Sequence, residues 1–339
     1  MDKVDVGAFL EKREDFPIID VRSPGEFQKG HIPSAISIPL FTNEERAVVG
    51  MLYKQQGQQA AIKEGLHIVG PKMVDFINQA ESTGASHLHV HCWRGGMRSE
   101  SMAWLFERYG LQTTLLNGGY KAYRTEVLRY FDQPLNLRVL TGYTGCQKTE
   151  LLQTMARQGA QVIDLEGLAN HQGSSFGNAK TDGQPTSEQF QNNLHAYCLT
   201  LDPSRPIWIE DESICIGSVS LPESLFEQMS LAPHVRISAA ADQRLQFLVK
   251  DYGEVDPEKL KASTMAITKR LGKESTQQAL IAIDKGDLYK AASLVLGYYD
   301  KQYEKSISKK SKSIIADFTL KSDQLESLAT ELINHKACQ

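Results

Sequence analysis

His87-Leu88-His89-Val90-His91-Cys92-Trp93-Arg94-Gly95-Gly96-Met97-Arg98-Ser99 begins as a short strand and runs straight into a cysteine. Five residues separate Cys92 from Arg98, and the amphipathic stretch from Met97 to Tyr109 predicts a helix. A strand that ends in a glycine-bearing turn and opens a helix makes an anion cradle, because backbone N–H groups and the helix N-terminus converge there. Arg94 and Arg98 add positive charge, and Gly95 and Gly96 give the turn its freedom. Such a field favours thiolate over thiol, which makes Cys92 the candidate nucleophile. The bland alternative is a core cysteine at a strand end. Two arginines and two glycines around one thiol make poor core material. Two chemistries suit the loop: sulfur or selenium transfer through a persulfide-type adduct, or phosphate-ester hydrolysis through a phosphocysteine. The spacing leaves both open.

Outward from this loop, apolar runs alternate with helix-forming segments. FPIIDVR (16–22), SAISIPL (34–40) and Thr113 to Leu116 read as strands, whereas 42–64 and 72–80 read as helix. That alternation implies a parallel α/β sheet. The pattern pauses at Asp132-Gln133-Pro134 and resumes with strands at Leu137 to Leu140, QVIDL (161–165), PIWIED (206–211) and VRIS (235–238). From Asp242 onward the pattern predicts helices throughout. The expected domains are residues 1–130, 131–245 and a helical extension at 246–339 packed on the second.

Gly142-Tyr143-Thr144-Gly145-Cys146-Gln147-Lys148-Thr149 follows the first strand of the second unit and opens a helix. It resembles the Walker A pattern G-x-x-x-x-G-K-[ST], in which Lys148 would meet phosphate oxygens and Thr149 would sit near Mg²⁺ or phosphate. Gln147 stands where that pattern has glycine, the residue that lets backbone approach phosphate closely. Glu210, Asp211 and Glu212 end an apolar strand and resemble a Walker B segment, its carboxylates able to hold Mg²⁺ directly or through water. Asp164 and Glu166 also end a strand, where α/β domains place ligands. Gly173-Ser174-Ser175-Phe176-Gly177 reads as a substrate loop or a plain connector. The sequence does not name a metal.

Composition is that of a globular chain: 339 residues, 41% hydrophobic, 23% charged, net charge −4. The whole molecule is therefore no polycation for nucleic acid, though a local basic face is compatible with this balance. The first residues are charged throughout, so no signal peptide is expected, and no run approaches the ~18 apolar residues of a membrane span. Five scattered cysteines with no C-x-x-C pair argue against a disulfide framework or zinc site and fit a reducing cytoplasm. Cys198 and Cys215 read as buried filler.

DVRSPGEFQKGHIPSAISIP (20–39) and LNGGYKAYR (116–124) resemble the rhodanese domain over roughly residues 4–128. This implies an N-terminal rhodanese-like parallel-sheet domain, followed by a P-loop NTPase-like α/β domain. Together with NEERAVVGMLYKQQG (43–57), HCWRGGMRS (91–99), DLEGLANHQGSSFG (164–177), EDESICIG (210–217), KRLG (269–272) and YYDKQYEKSISKK (298–310), the chain looks like tRNA 2-selenouridine synthase. The resemblance implies exchange of sulfur for selenium in the wobble 2-thiouridine (U34) of tRNA, through an S-geranylated intermediate. The implied donors are geranyl diphosphate and selenophosphate, with Cys92 carrying selenium, Lys148 near diphosphate and a selenophosphate-producing enzyme as a partner. Lys259, Lys261, Lys269, Arg270, Lys273, Lys301, Lys305, Lys309, Lys310 and Lys312 would present a basic face to tRNA. Tyr298, Tyr299 and Tyr303 are expected to pack rather than stack on a base. The competing assignments are a rhodanese-fold cysteine phosphatase or sulfurtransferase joined to a kinase-like domain, and a non-catalytic binding module.

Overall fold

A computed structural model describes residues 2–11, 15–171, 183–310, 313–321 and 324–338. It divides into two units, 1–130 and 131–339. The first unit holds a five-stranded sheet of β1 (Asp2–Val4), β2 (Ile18–Asp20), β3 (Ile36–Ser37), β4 (His87–His91) and β5 (Gln112–Leu116). The strand order is β1-β5-β4-β2-β3, and every pairing is parallel. Parallel strands with helices on both faces are buried on both faces, which is why β4 is nearly all core despite three histidines. Two of those rings find hydrogen-bond partners, His89 Nδ1 at 3.1 Å from Phe9 O and His87 Nε2 at 2.8 Å from Thr114 Oγ1, while His91 Nε2 stands 3.7 Å from Asp20 Oδ2.

Three expectations change here, the first being FPIIDVR, of which only Ile18–Asp20 is strand. Of SAISIPL only Ile36–Ser37 is strand, although Ile38 N and Leu40 N still donate to Asp20 O and Val21 O at 3.0 and 3.3 Å. Pro39 has no N–H to give a ladder, and Ser34 sits at φ 70. The segment 42–64 is two helices, Asn43–Gln56 and Gln58–Val69. The first starts on a capping box, Thr42 with Glu45, and the chain breaks at Gly57, whose φ of 88 suits glycine.

The second unit holds β6 (Leu137–Gly142), β7 (Gln161–Ile163), β8 (Ile207–Glu210), β9 (Cys215–Ile216), β10 (Val219–Ser220), β11 (His234–Ser238) and β12 (Ile314–Thr319). β9 and β10 form a small hairpin, and the main sheet runs β12-β11-β6-β8-β7, again parallel. β12 corrects the expectation of an all-helical C-terminal region. It lies at the sheet edge with half-buried and exposed residues alternating, and Arg236 of β11 pairs with its Asp317. A six-residue half-buried strand after a long charged helix leaves a weak trace in the sequence. The last helix, Leu325–Asn334, buries Leu328, Ala329 and Leu332 in the same core as Leu151, Leu152 and Met155.

In the first unit, the loop after β4 rests on the turn after β5. Tyr120 N donates to Cys92 O (2.8 Å) and Lys121 N to Trp93 O (3.0 Å). A Cβ at Gly119 would lie 2.4 Å from Cys92 O and 2.5 Å from Gly95 N. Gly119→Ala should therefore destabilise the chain by about 3 kcal/mol, from a positive φ plus a backbone clash. Gly84→Ala, at φ 71 but in open space, should cost only about 1 kcal/mol. Equal shifts of the two variants in thermal unfolding would show that the loop and turn separate freely.

Candidate functional site

Cys92 sits at the carboxyl end of the central strand β4, 3% exposed. Ser99 Oγ, one turn into the helix Met97–Tyr109, donates to Cys92 Sγ at 3.2 Å. Burial pushes the thiol up. The Ser99 hydroxyl, the backbone N–H groups of Ser99 and Arg94, and the Arg98 charge outweigh it, so the thiol lies below its ordinary value. Arg98 is only partly available to an anion, because its Nη1 donates to Glu26 Oε2 at 2.8 Å. Arg46 meets the same carboxylate at 3.2 Å. Arg94 is exposed. Gly95, at φ 66, has Leu116 O where a Cβ would stand, and Gly96 caps the helix.

Behind the loop lies a buried ion pair, Arg22 Nη2 with Asp20 Oδ2 at 2.6 Å. Burial works against the Asp20 carboxylate, but His91 and Arg22 hold it below the usual range. The Arg22 guanidinium also donates to Gly30 O and lies 3.6 Å from the centre of the Tyr120 ring. This pair fixes the D-V-R and G-G-Y segments against each other. A cavity of about 970 Å³ opens beside Cys92, lined by Trp93, Arg94 and Arg98 and by Arg46, Tyr53 and Leu66 of the two helices from Asn43 to Val69.

The second loop joins β6 to the helix Lys148–Arg157. Gln147 adopts φ 54, ψ 35, the left-handed region where the Walker pattern has glycine. The turn is thus retained without the glycine. Gly145 is at φ 83, and a Cβ on Gly142 would meet Ile237 O at 2.5 Å. Arg244 Nη1 donates to Thr144 O (3.1 Å), and Arg244 pairs with Asp300. The Cys146 side chain is core, its thiol raised by burial, and its N–H closes the turn on Tyr143 O. Only its backbone belongs to the loop.

Lys148 is buried, which works to strip its proton. Glu210, 3.4 Å away, joined by Cys146, Glu212 and Tyr303, outweighs this and keeps the ammonium charged. Thr149 Oγ1 lies 3.0 Å from Glu166 Oε2 and 3.1 Å from Glu210 Oε2. Among the described residues, Glu166, Glu210 and Glu212 place one oxygen each within 4.8 Å of one another. Burial and the charges of Glu210 and Glu166 push Glu212 well up. Three oxygens around one point, one of them reluctant to ionise, are a donor set that a hard divalent cation would suit.

The structure divides the acids named from sequence. Glu166 and Glu210 face Thr149. Asp211 instead accepts from Thr141 Oγ1 at 2.6 Å, and Asp164 caps the helix Leu165–Ala169 through Gly167 N. Glu212 takes the third place, a position three residues of like charge could not single out. The role of Ser99 was also beyond sequence reasoning, whereas Tyr303 packs as expected. The Tyr303 ring packs on Tyr143 (4.4 Å) and its hydroxyl lies 3.1 Å from Thr141 Oγ1. Tyr298 packs against Tyr299. Cys198 is buried, its thiol pushed up to about 12, but Cys215 is exposed on the hairpin. Lys261 pairs with Glu258 and Asp284. The loop 173–177, Lys312 and the side chains of Lys305, Lys309 and Lys310 lie outside the described residues. Among the described residues, no helix is long and apolar enough to cross a membrane.

A thiol with a lowered pKa keeps its thiolate as pH falls, until the pH passes below that pKa. In a Cys215→Ser background, iodoacetamide alkylation of Cys92 should therefore lose half its rate below the ordinary cysteine value of about 8.5. Ser99→Ala should move that inflection upward. An unmoved inflection would remove Ser99 from the thiolate's support.

Comparison with known proteins bears on both units. A rhodanese-like domain profile matches residues 5–126, and the tRNA 2-selenouridine synthase AAA domain matches residues 135–331. The tRNA 2-selenouridine synthase of Shewanella denitrificans is 34% identical, over 91% of this chain and 92% of its own. That of Alcanivorax borkumensis is 35% identical, over 89% and 92%. That of Bordetella bronchiseptica is 35% identical, over 85% and 88%. With each half matched by its profile and the relatives aligned over almost their whole length, the chain belongs to the tRNA 2-selenouridine synthase family.

Proposed function

We propose that the chain is a transferase that converts the wobble 2-thiouridine (U34) of tRNA to 2-selenouridine through S-geranyl-2-thiouridine. The observation that carries this is the presence of two unlike anion cradles, one built on a thiol and one on a lysine, in a chain that its relatives match nearly end to end. Both donors in the proposal are phosphorylated, selenophosphate and geranyl diphosphate, so each cradle has a ligand.

At the phosphate loop, the thiocarbonyl sulfur of the base attacks C1 of the geranyl chain. The C–O bond breaks, diphosphate leaves with the electron pair, and the base gives up its N3 proton to solvent. Lys148, held charged, stabilises that leaving group, and the loop's N–H groups share its charge. A diphosphate is shorter than a nucleoside triphosphate, which suits a loop bearing Gln147. Glu166, Glu210 and Glu212 would hold Mg²⁺, whose charge would further stabilise the departing diphosphate. Alkylation makes the sulfur a leaving group, so a selenium nucleophile can replace it at C2. Cys92, held toward thiolate by Ser99, is the selenium carrier: its sulfur bonds the selenium of selenophosphate as the Se–P bond breaks and its electron pair leaves with phosphorus as phosphite, and the terminal selenium then attacks C2 while geranylthiolate leaves with the C–S pair. A small cellular thiol cleaves the S–Se bond to free the base, and a second thiol reduces the resulting mixed disulfide and restores Cys92. Arg94 and Arg98 favour the anionic donor. The cysteine does not serve the prenyl step, which needs departure of diphosphate more than a protein nucleophile.

The basic residues Lys259, Lys269, Arg270 and Lys273 lie on helices of the second unit and would contact tRNA phosphates, with salt-sensitive affinity. A selenophosphate-producing enzyme and a reducing cytoplasm complete the setting.

Mass spectrometry of bulk tRNA nucleosides separates the steps. A Cys92→Ser strain should lack 2-selenouridine and retain the S-geranylated nucleoside. A Lys148→Ala strain should lack both, with geranyl diphosphate affinity reduced at least about tenfold, as removal of a buried charge partner implies. Retained selenouridine in Cys92→Ser, or unchanged geranyl diphosphate affinity in Lys148→Ala, would overturn the respective assignment.

A further inference from the structure

The cavity at the phosphate loop measures about 470 Å³ and is walled by Lys148 and carboxylates. Beside it is a cavity of opposite character. It measures about 80 Å³ and sits among the helices Ala241–Tyr252, Pro257–Ala266, Lys273–Asp284 and Leu288–Lys310. Leu248, Leu260, Ile283, Ala292, Val295 and Leu296 give it an aliphatic lining. Thr264, also in the lining, turns its hydroxyl onto Leu260 O at 2.8 Å and so offers little to a polar guest. Thr144, Leu248 and Tyr252 line both cavities, so the phosphate site and the apolar slot share a wall.

We infer that the two cavities form one site for a diphosphate ester of an isoprenoid-like chain, with the diphosphate at Lys148 and the far end of the chain in the slot. This rests on the prenyl-donor reading above. A nucleoside would leave its polar base edges unmatched against aliphatic walls, each unpaired group costing about tenfold or more in affinity. An alkyl chain loses nothing there and gains about fourfold in affinity per buried CH₂. At roughly 15 Å³ per water-sized group, the slot takes about five such groups, one isoprene unit. The nearer isoprene unit of a ten-carbon chain then lies along the shared wall of Thr144, Leu248 and Tyr252. The slot therefore acts as a length gauge as well as a seat.

The rival seat is the larger cavity beside Cys92 in the first unit, and the test sets the two against each other. Inorganic diphosphate, dimethylallyl diphosphate, geranyl diphosphate and farnesyl diphosphate are titrated calorimetrically into the full chain, wild type and variants. Wild type is expected to bind geranyl diphosphate at least tenfold more tightly than inorganic diphosphate. Ala292→Phe should abolish that surplus and leave inorganic diphosphate within twofold, which also reports an intact fold. Ala47→Phe, in the rival cavity, should leave the surplus in place. Leu296→Ala should lengthen the slot and shift preference from geranyl toward farnesyl. A surplus that survives Ala292→Phe, is lost only in Ala47→Phe, or shows no length shift in Leu296→Ala overturns the slot while the prenyl-donor reading stands. A wild type with no surplus at all overturns both.

Discussion

In the first unit, two turns from different strands touch backbone to backbone, and side chains are excluded from the contact. Gly95 and Gly119 both stand at positive φ, and each occupies the space a Cβ on the other side would need. The contact ties the loop after β4 to the turn after β5, and Tyr120 N seals it on Cys92 O. The groups that favour the Cys92 thiolate depend on this. The cradle's N–H groups converge only because the loop cannot open, and Ser99 reaches the sulfur only because the helix starts where the loop sets it.

The buried Asp20–Arg22 pair serves the same end from below. A pair taken from water contributes little net stability, because desolvation consumes most of its attraction. Its geometry is informative, however. Arg22 meets Asp20, Gly30 O and the Tyr120 face at once, and so fixes three sequence-distant segments in one arrangement. The charge belongs to positioning, while the cavity side of the loop is left to Arg94, Arg98 and Arg46.

The second unit meets a similar demand differently. Its loop needs a left-handed residue ahead of Lys148, and Gln147 takes that conformation at an expense of about 1 kcal/mol, borne by the surrounding packing. Arg244 braces the loop by its bond to Thr144 O and its pair with Asp300, drawing the long C-terminal helix to the phosphate site. Tyr303 does the same through Tyr143 and Thr141. The helices after Ala241 thus contribute to the site itself.

The sequence by itself determined the parallel α/β architecture, the two anion loops and the residues at their centres. Periodicity, glycine placement and strand-loop-helix order are local properties, and Cys92, Arg98, Lys148 and Thr149 sit at fixed offsets within them. Only the tertiary structure decided which acids gather at Thr149, since Glu210, Asp211 and Glu212 are adjacent in sequence and differ only in the direction the chain turns after β8. It alone decided that Ile314–Thr319 is an edge strand, because half-burial arises from the neighbour β11 and not from the segment. It also decided that Glu26 holds Arg98 and Ser99 holds Cys92. Those contacts span separations of 72 and 7 residues, and no local spacing encodes a distance in space.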